Sequence, residues 1–272
     1  MAAPLLEVLS VLERLAPLAF AESWDNVGLL VEPSASSNAR IAHAVLTIDL
    51  DPEVLSEAET LGAQLIVAYH PPIFQGLKRL RASSAAERVA VRAVAAGIFV
   101  FSPHTALDAA PGGVNDWLLD AFGGAELART PCVPHAADAR FGAGRFVRLP
   151  EPLRLSDAVA RLKQQLGLSQ LRVAAAPQHA DGAAEIRSVA VCAGAGGSVF
   201  EKLSGFDLFV TGEMRHHDVR ARVQSGSSVV LSEHTHTERG YLQILAQRLT
   251  AATGNQVTFH VSSCDRDPLS WV

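Results

Sequence analysis

The chain has 272 residues, of which 49% are hydrophobic and 19% are charged, a composition typical of a globular protein with a buried core. Its formal net charge is −5 and no long run of Lys and Arg is present, which argues against direct binding to the phosphate backbone of DNA. The three cysteines are widely spaced and form no C-x-x-C pair, so neither a disulfide framework nor a thiolate zinc site is indicated, and a reducing compartment fits best.

The first predicted element is an amphipathic helix near the N-terminus, where leucines recur at helical spacing from Leu5 to Leu15. This segment does not have the pattern of a signal peptide. No apolar stretch reaches the ~18–20 residues that a membrane-spanning helix needs. We therefore expect a soluble cytoplasmic protein that does not enter a membrane.

Five short apolar runs predict buried strands of a largely parallel or mixed sheet whose faces are covered by helices. The runs are residues 44–49, 65–70, 98–104, 207–213 and 228–233. Predicted helices occupy residues 52–61, 85–96, 156–166 and 241–249. Gly97 and Gly167 are expected to end the second and third of these helices, and Ser156 is expected to cap the third. This alternation predicts the α/β fold class.

Residues 129–145 interrupt this alternation with two prolines and two glycines, which we interpret as a boundary. The sequence thus predicts two α/β lobes, residues 1–128 and residues 129–272. A glycine-rich turn at Gly194, Gly196 and Gly197 has two interpretations. Its backbone N–H groups either hold an anion or belong to a tight turn that needs small residues, and the full dinucleotide-binding fingerprint is absent.

Imidazole and carboxylate side chains follow three of the predicted strands. His70 ends the second run and His104 ends the third, and Asp108 follows His104 at the four-residue spacing of one helical face. His234 and Glu238 repeat this spacing after the fifth run, and we expect Glu238 at a solvent-reachable strand end. Because strand ends of a parallel sheet meet at one edge, we predict that these five residues bind one or two divalent ions, Zn, Fe, Mn or Mg.

Several short motifs occur in order along the chain. They are Ser23-Trp-Asp-Asn-Val-Gly-Leu, Tyr69-His-Pro-Pro-Ile-Phe, Ser102-Pro-His-Thr-Ala-Leu-Asp-Ala-Ala-Pro-Gly-Gly-Val-Asn, Thr211-Gly-Glu-Met-Arg-His-His-Asp, Glu238-Arg-Gly and Asp265-Arg-Asp-Pro-Leu. Together they resemble the NIF-three-like family, named after NGG-one-interacting factor three, and look most similar to its animal members. Bacterial members of this family are labelled type 2 GTP cyclohydrolase I.

The resemblance implies a dinuclear metal centre between two α/β lobes and homo-oligomers, either dimers or hexameric rings built from dimers. It implies that His70 and Asp108 bind the first ion, and that His234 binds the second. Glu238 would bridge both ions, and His104 corresponds to an additional histidine near the centre.

One departure from the family pattern concerns the second ion. Bacterial members have His-His where this chain has Tyr69-His70. A phenol is a weakly available ligand at neutral pH, because its pKa is ~10 unless a metal lowers it. The second ion would therefore lose a ligand.

Two functions of different class remain open. The resemblance implies a regulatory protein of the transcriptional co-repressor type, acting in the cytoplasm and nucleus through protein partners rather than through DNA contact. The alternative is a dinuclear metal-dependent hydrolase of a nucleotide or another small phosphorylated compound. Glu238 would then be the catalytic residue, since two bridged ions can lower the pKa of a bound water to ~7.

Other polar and aromatic residues beside these motifs have simpler interpretations. Trp24, Asp25 and Asn26 predict an aromatic anchor beside a turn, which is a structural role. The basic residues within 78–81 could meet a phosphate, although a solvated basic turn is the more common arrangement. Glu213 is a candidate base that supports the metal centre without binding the ion.

Overall fold

The computed structural model describes residues 2–33, 38–124, 126–180, 182 and 184–270. Its strands are β1 (Ala3–Pro4), β2 (Gly28–Val31), β3 (Arg40–Ile41), β4 (His43–Thr47), β5 (Leu65–Ala68), β6 (Phe99–Ser102), β7 (Val133–Pro134), β8 (Gly142–Ala143), β9 (Arg145–Leu153), β10 (Arg172–Ala174), β11 (Ile186–Ala195), β12 (Leu208–Glu213), β13 (Ser228–Leu231) and β14 (Thr258–Val261). Its α-helices are α1 (Leu5–Leu15), α2 (Pro52–Thr60), α3 (Ala85–Ala96), α4 (His104–Ala109), α5 (Val114–Leu119), α6 (Leu155–Leu166), α7 (Pro177–Ala180), α8 (Gly197–Phe200), α9 (His216–Gln224) and α10 (Tyr241–Ala252).

Two five-stranded mixed sheets form the framework, which confirms the predicted α/β class. In the first sheet the order is β14-β4-β5-β6-β2, with β2 antiparallel to β6 and the other pairs parallel. In the second sheet the order is β10-β13-β12-β11-β9, where the three inner strands are parallel and both edge strands are antiparallel. Each run of apolar residues in the sequence became a buried strand of one of these sheets.

The chain divides into two compact units. One unit comprises Met1–Leu107 together with Tyr241–Val272, and the other is Asp108–Gly240. The first unit therefore contains the first sheet with its strand β14, and the second unit contains the second sheet.

This division differs from the predicted lobes 1–128 and 129–272. The last part of the chain returns to the first unit because β14 pairs in parallel with β4. The proline- and glycine-rich residues 129–145 form β7, β8 and the beginning of β9 inside the second unit. Their irregular pattern reflects a short antiparallel pair, β7 with β8, rather than a boundary.

Local signals mark the ends of two helices in the first unit. Helix α3 occupies residues 85–96 as predicted, beginning after the Ser84 cap and ending at Gly97, whose φ of 70° lies in the left-handed region. Helix α2 begins after Asp51, whose side chain accepts hydrogen bonds from the N–H groups of Glu53 and Val54. These helices bury one face each against the core of the unit.

In the second unit, α6 ends at Gly167 as predicted, with a φ of 67°. The prediction that Ser156 caps this helix is wrong. The helix begins one residue earlier, at Leu155, which is buried, and Arg154 takes the cap position without a side-chain hydrogen bond. Burial of Leu155 sets the first turn here. Within the described residues, no helix combines the length and the apolarity that crossing a membrane requires.

Candidate metal centre

His70 follows β5, and a carboxylate holds its imidazole. The N–H groups of Tyr69 and His70 donate to the carbonyls of Thr47 and Ile48 at 2.8 and 3.0 Å, which continues the pairing with β4 beyond the strand. Nδ1 of His70 lies 2.9 Å from Oδ1 of Asp49. An imidazole bound to a carboxylate through Nδ1 presents Nε2 as its metal-ligating atom. Asp49 therefore sets the tautomer that a metal ligand needs.

His104 is held in the same way and begins α4 in a strained conformation. Its φ of 27° is rarely adopted by L-residues, and such strain is concentrated at functional sites. Nδ1 of His104 lies 2.7 Å from Oδ1 of Asp25, and Thr105 donates to the other oxygen of that carboxylate through its N–H and its hydroxyl. Asp108 lies four residues further along the same helix, as its spacing predicts.

The charge state of Asp25 supports this role. Burial raises the pKa of Asp25, but hydrogen bonds from His104 and Thr105 outweigh burial, and the pKa is lowered overall. Asp25 is thus an ionised acceptor at neutral pH. Its predicted role beside a structural turn was incomplete, because the carboxylate orients a candidate metal ligand.

Aromatic rings surround the two imidazoles. The ring centroids of His70 and His104 lie 5.5 Å apart in a T-shaped arrangement. Tyr69 is buried and contacts both rings, with centroid separations of 5.3 Å to His70 and 5.9 Å to His104. The phenol therefore forms part of the wall of the site.

His234 and Glu238 flank a single 3-10 turn, Thr235–Thr237, that follows β13. Nε2 of His234 lies 3.4 Å from Oε1 of Glu238, and its Nδ1 lies 3.5 Å from Oε2 of Glu213 at the end of β12. Two ligands bound ~2.1 Å from one tetrahedral ion are themselves ~3.4 Å apart, so the first distance fits a shared ion. The expectation that Glu238 is solvent-reachable is wrong, because the residue is only 3% exposed.

Gly194 in β11 leaves the space that these two side chains occupy. A Cβ atom at this position would lie 2.8 Å from Nε2 of His234 and 2.9 Å from Oε1 of Glu238, and φ is +63°. Any other residue at this position would displace the imidazole and the carboxylate. The glycine is therefore part of the site although it offers no ligand.

The anion-binding interpretation of the glycine-rich turn is not favoured by its hydrogen bonds. The N–H groups of Gly194 and Gly196 donate to the hydroxyls of Thr237 and Thr211, each at 2.8 Å. These donors are satisfied within the protein, so the alternative of a tight turn is the better description.

Buried polar residues hold the backbone around Asp108. Nδ2 of Asn115 donates to the carbonyl of Asp108 at 3.1 Å. Arg145, which is 2% exposed, donates to the carbonyl of Ala109 at 2.7 Å and forms an ion pair with Asp116 at 3.1 Å. Together these groups fix the end of α4.

The five predicted ligands divide between the two units. His70 and His104 belong to the first unit, and Asp108, His234 and Glu238 belong to the second. Within the second unit, His234 and Glu238 form a candidate metal-ligand pair. A mixed set of imidazole and carboxylate donors suits Zn, Fe or Mn, and the space left by Gly194 is shaped around two of the donors, so the residues fit a divalent ion.

Two buried cysteines, Cys132 and Cys192, are poor candidates for metal ligands. Burial raises the pKa of Cys132 to about 12 and raises that of Cys192 well above its usual value. Both side chains are therefore neutral thiols at neutral pH, whereas a metal ligand must be a thiolate. His216 and His217 begin α9 as exposed residues and are not among the candidate ligands.

Comparison with known proteins identifies the family. The family described as Duf34/NIF3 (NGG1p interacting factor 3) matches residues 4–268. The chain belongs to this NIF3 family. The NIF3 homolog of Schizosaccharomyces pombe is 40% identical over 270 residues, which are 96% of this chain and 95% of that protein. NGG1-interacting factor 3 of Saccharomyces cerevisiae is 38% identical over 262 residues, which are 92% of this chain and 90% of that protein.

The NIF3 resemblance seen in the sequence motifs is thus confirmed. A solved structure of a Bacillus cereus protein related to NIF3 superposes with a TM-score of 0.82 at 22% identity, covering 98% of this chain and 99% of that one. At this identity the similarity shows the shared fold.

Sequence reasoning missed the residues that support this NIF3 site. Asp49 ends a buried apolar run in the same way as His70, and this signal could have identified it. Asp25 precedes His104 by 79 residues, and no local pattern joins them. Gly194 was interpreted as part of a turn, because a sequence does not show which side chains a missing Cβ makes room for.

Proposed function

We propose that this NIF3-family chain binds one or two divalent metal ions and acts as a regulatory protein through protein partners. The observation that carries the metal site is the pair of His234 and Glu238, whose Nε2 and Oε1 atoms lie 3.4 Å apart beside the space left by Gly194. His70, whose imidazole is held by Asp49, is proposed as a ligand with them. His104 and Asp108 are proposed as further ligands. Asp25 orients His104 as Asp49 orients His70, which supports a matching role for the two imidazoles.

Regulation through partners is supported by the name of a relative. The Saccharomyces cerevisiae protein is called NGG1-interacting factor 3, which describes contact with another protein. The net charge of −5 agrees with action through proteins rather than through the DNA backbone. We extend the proposal to a homo-oligomer that acts in the cytoplasm and the nucleus, with a bound ion that stabilises the folded protein.

The metal content of protein purified without added metal tests this proposal. We expect one or two equivalents of a divalent ion by inductively coupled plasma mass spectrometry, falling strongly in His70→Ala and in Glu238→Gln. His216→Ala is the matched control, because His216 is an exposed histidine that is not among the proposed ligands. Metal content that is equal in all four proteins would show that the ligands are misassigned.

In this proposal, whether a second metal ion binds depends on Tyr69. We expect Tyr69→His to raise the metal content toward two equivalents, because an imidazole ligates at neutral pH more readily than a phenol. The same mass spectrometry measures this change. Equal content in the two proteins would count against a second ion beside Tyr69.

A metal-dependent hydrolase of a small phosphorylated compound is the second candidate function. Glu213 favours it, because this carboxylate is 52% exposed and lies 3.5 Å from His234, where it can accept a proton from a reacting group. A divalent ion bound at such a site lowers the pKa of a bound water to ~7 and neutralises phosphoryl charge. Turnover of nucleotides should fall at least ~100-fold in Glu238→Gln, the scale for loss of a central electrostatic group.

Partner binding separates the two functions. Glu213→Gln should abolish most turnover if the chain is a hydrolase, and should leave affinity for a protein partner unchanged if the chain acts only as a regulator. Absence of turnover in the metal-loaded protein across nucleotides and sugar phosphates would remove the hydrolase candidate.

A further inference from the structure

Two aromatic side chains are exposed together next to His104. Trp24 is 59% exposed and Phe74 is 49% exposed, and they are the strongly exposed aromatic residues of the described part of the chain. Their ring centroids lie 6.0 Å apart at an interplanar angle of 55°. Both rings also meet the His104 imidazole in T-shaped contacts, with centroid separations of 6.1 and 6.5 Å.

The segments that carry these rings are held firmly. The side-chain amide of Asn26 donates to the carbonyl of Ile73 at 2.5 Å, which joins the segment after Trp24 to the segment before Phe74. Ile73 and Leu77 pack against the core of the unit. Phe74 is therefore exposed although its neighbours are anchored, so its exposure does not result from a loose loop.

Exposure of both rings leaves a large apolar area in water. Burying a large apolar side chain stabilises the folded protein. Two rings held in solvent beside a candidate metal ligand do not contribute that stabilisation. Aromatic rings fixed at such a position can stack against the flat face of a ligand ring, a contact that tolerates many ring types. The T-shaped contacts with His104 place such a ligand next to the imidazole.

We propose that Trp24 and Phe74 form a stacking platform for the planar unsaturated ring of a small anionic ligand of the metal site. The proposal rests on the metal binding proposed above. Three exposed cations, Lys78, Arg79 and Arg81, follow Phe74 in the same loop and provide charge complementary to a phosphate on that ligand. In this proposal the three basic residues attract the phosphate of the ligand, a role that they do not have in a simple solvated turn.

Calorimetric titration of the metal-loaded protein tests the platform. The probes are the four common nucleoside 5′-monophosphates, with ribose 5-phosphate as the compound that has the anion without the ring. We expect at least one nucleoside monophosphate to bind roughly tenfold or more tightly than ribose 5-phosphate, the scale of one stacked ring. Trp24→Ala and Phe74→Ala should each remove most of that difference, and neither should alter the affinity for ribose 5-phosphate.

Three further variants distinguish stacking of an aromatic ring on the ligand from a simple apolar contact with the ligand. Trp24→Phe should keep most of the affinity because it keeps a ring, and Trp24→Leu should lose it. Leu80→Ala is the matched control, since Leu80 is a 66% exposed apolar residue of the same loop without a ring. Retained affinity in Trp24→Leu, or no preference for any nucleoside monophosphate, would overturn the platform.

Metal content and oligomeric mass of the same samples make the failures distinguishable. Normal metal content with no ring preference rejects the platform alone, whereas wild-type protein without metal rejects the proposed metal site. If Trp24→Ala changes the mass measured by light scattering and leaves nucleotide affinity unchanged, the two rings cover a subunit contact, and the proposal is wrong.

Discussion

Nδ1 of His70 lies 2.9 Å from Oδ1 of Asp49, a residue that follows the neighbouring strand of the same sheet. The carboxylate selects the tautomer of the imidazole and increases its basicity as a ligand. The geometry of this pair therefore leads to a direct test of the metal site.

Asp49→Asn is expected to weaken metal affinity by at least ~10-fold, the lower end of the range for loss of a carboxylate that orients a ligating histidine. Asp51→Asn is the matched control. It removes the same charge two residues away, and asparagine caps α2 as well as aspartate does. Competition titration with a chelating dye measures both affinities, and equal affinities for the two variants would show that Asp49 does not support a metal-ligating imidazole.

Gly194→Ala is expected to abolish or strongly weaken metal binding, because the new Cβ would lie within 3 Å of His234 and Glu238. The φ of +63° adds a cost of roughly 1 kcal/mol or more to the folded state. Gly197→Ala is the control, since the nearest atom to its Cβ would be Oδ2 of Asp218 at 3.8 Å. Metal content and melting temperature are measured together. Normal metal binding in Gly194→Ala would show that the glycine does not shape the site.

Arg145→Met is expected to lower the free energy of unfolding by ~3–5 kcal/mol, since it leaves the buried Asp116 carboxylate without its cation. It also removes hydrogen bonds to the carbonyls of Ala109, Gly142 and Gly144. Urea unfolding measures the loss. The control is Arg148→Met on the same strand, where the exposed side chain predicts a change within ~0.5 kcal/mol. Similar values for both variants would contradict a supporting role for Arg145.

Glu57 provides a test of pH dependence. Burial raises the pKa of Glu57, but hydrogen bonds from Ser262, Ser263 and Cys264 lower it by more, so the folded pKa lies below the unfolded one. The resulting stabilisation is fully present above the unfolded pKa of ~4.3 and is lost as the pH falls through the folded pKa. Glu57→Gln should therefore be less stable than wild type at pH 7, and the difference should narrow as the pH falls below ~4.

Urea titrations at several pH values measure this difference. Glu53→Gln, an exposed substitution in the same helix, is the matched control for removing one carboxylate. The free energy of unfolding of Glu57→Gln could instead be lower than that of wild type by the same amount from pH 7 to acid conditions. That result would show that the carboxylate does not anchor the residues after β14.

The sequence by itself determined the local elements and the chemistry at strand ends. The predicted helix 85–96 has the bounds of α3, since its start and end depend on Ser84 and Gly97 within the segment itself. His70 and His234 could be recognised as candidate ligands because each follows a short apolar run, and such runs become buried strands regardless of which sheet they enter.

Only the tertiary structure decided which distant residues meet. Pairing of β14 with β4 returns the chain to its first unit, and the local pattern of β14 would suit either sheet. Asp25 contacts His104 across 79 residues of sequence, and the absent Cβ of Gly194 makes room for side chains that follow a different strand. Hydrophobic periodicity in the sequence predicts which residues are buried, but it does not identify the residues they contact, because the hydrophobic effect is non-directional. These contacts therefore depend on the packing of the whole unit.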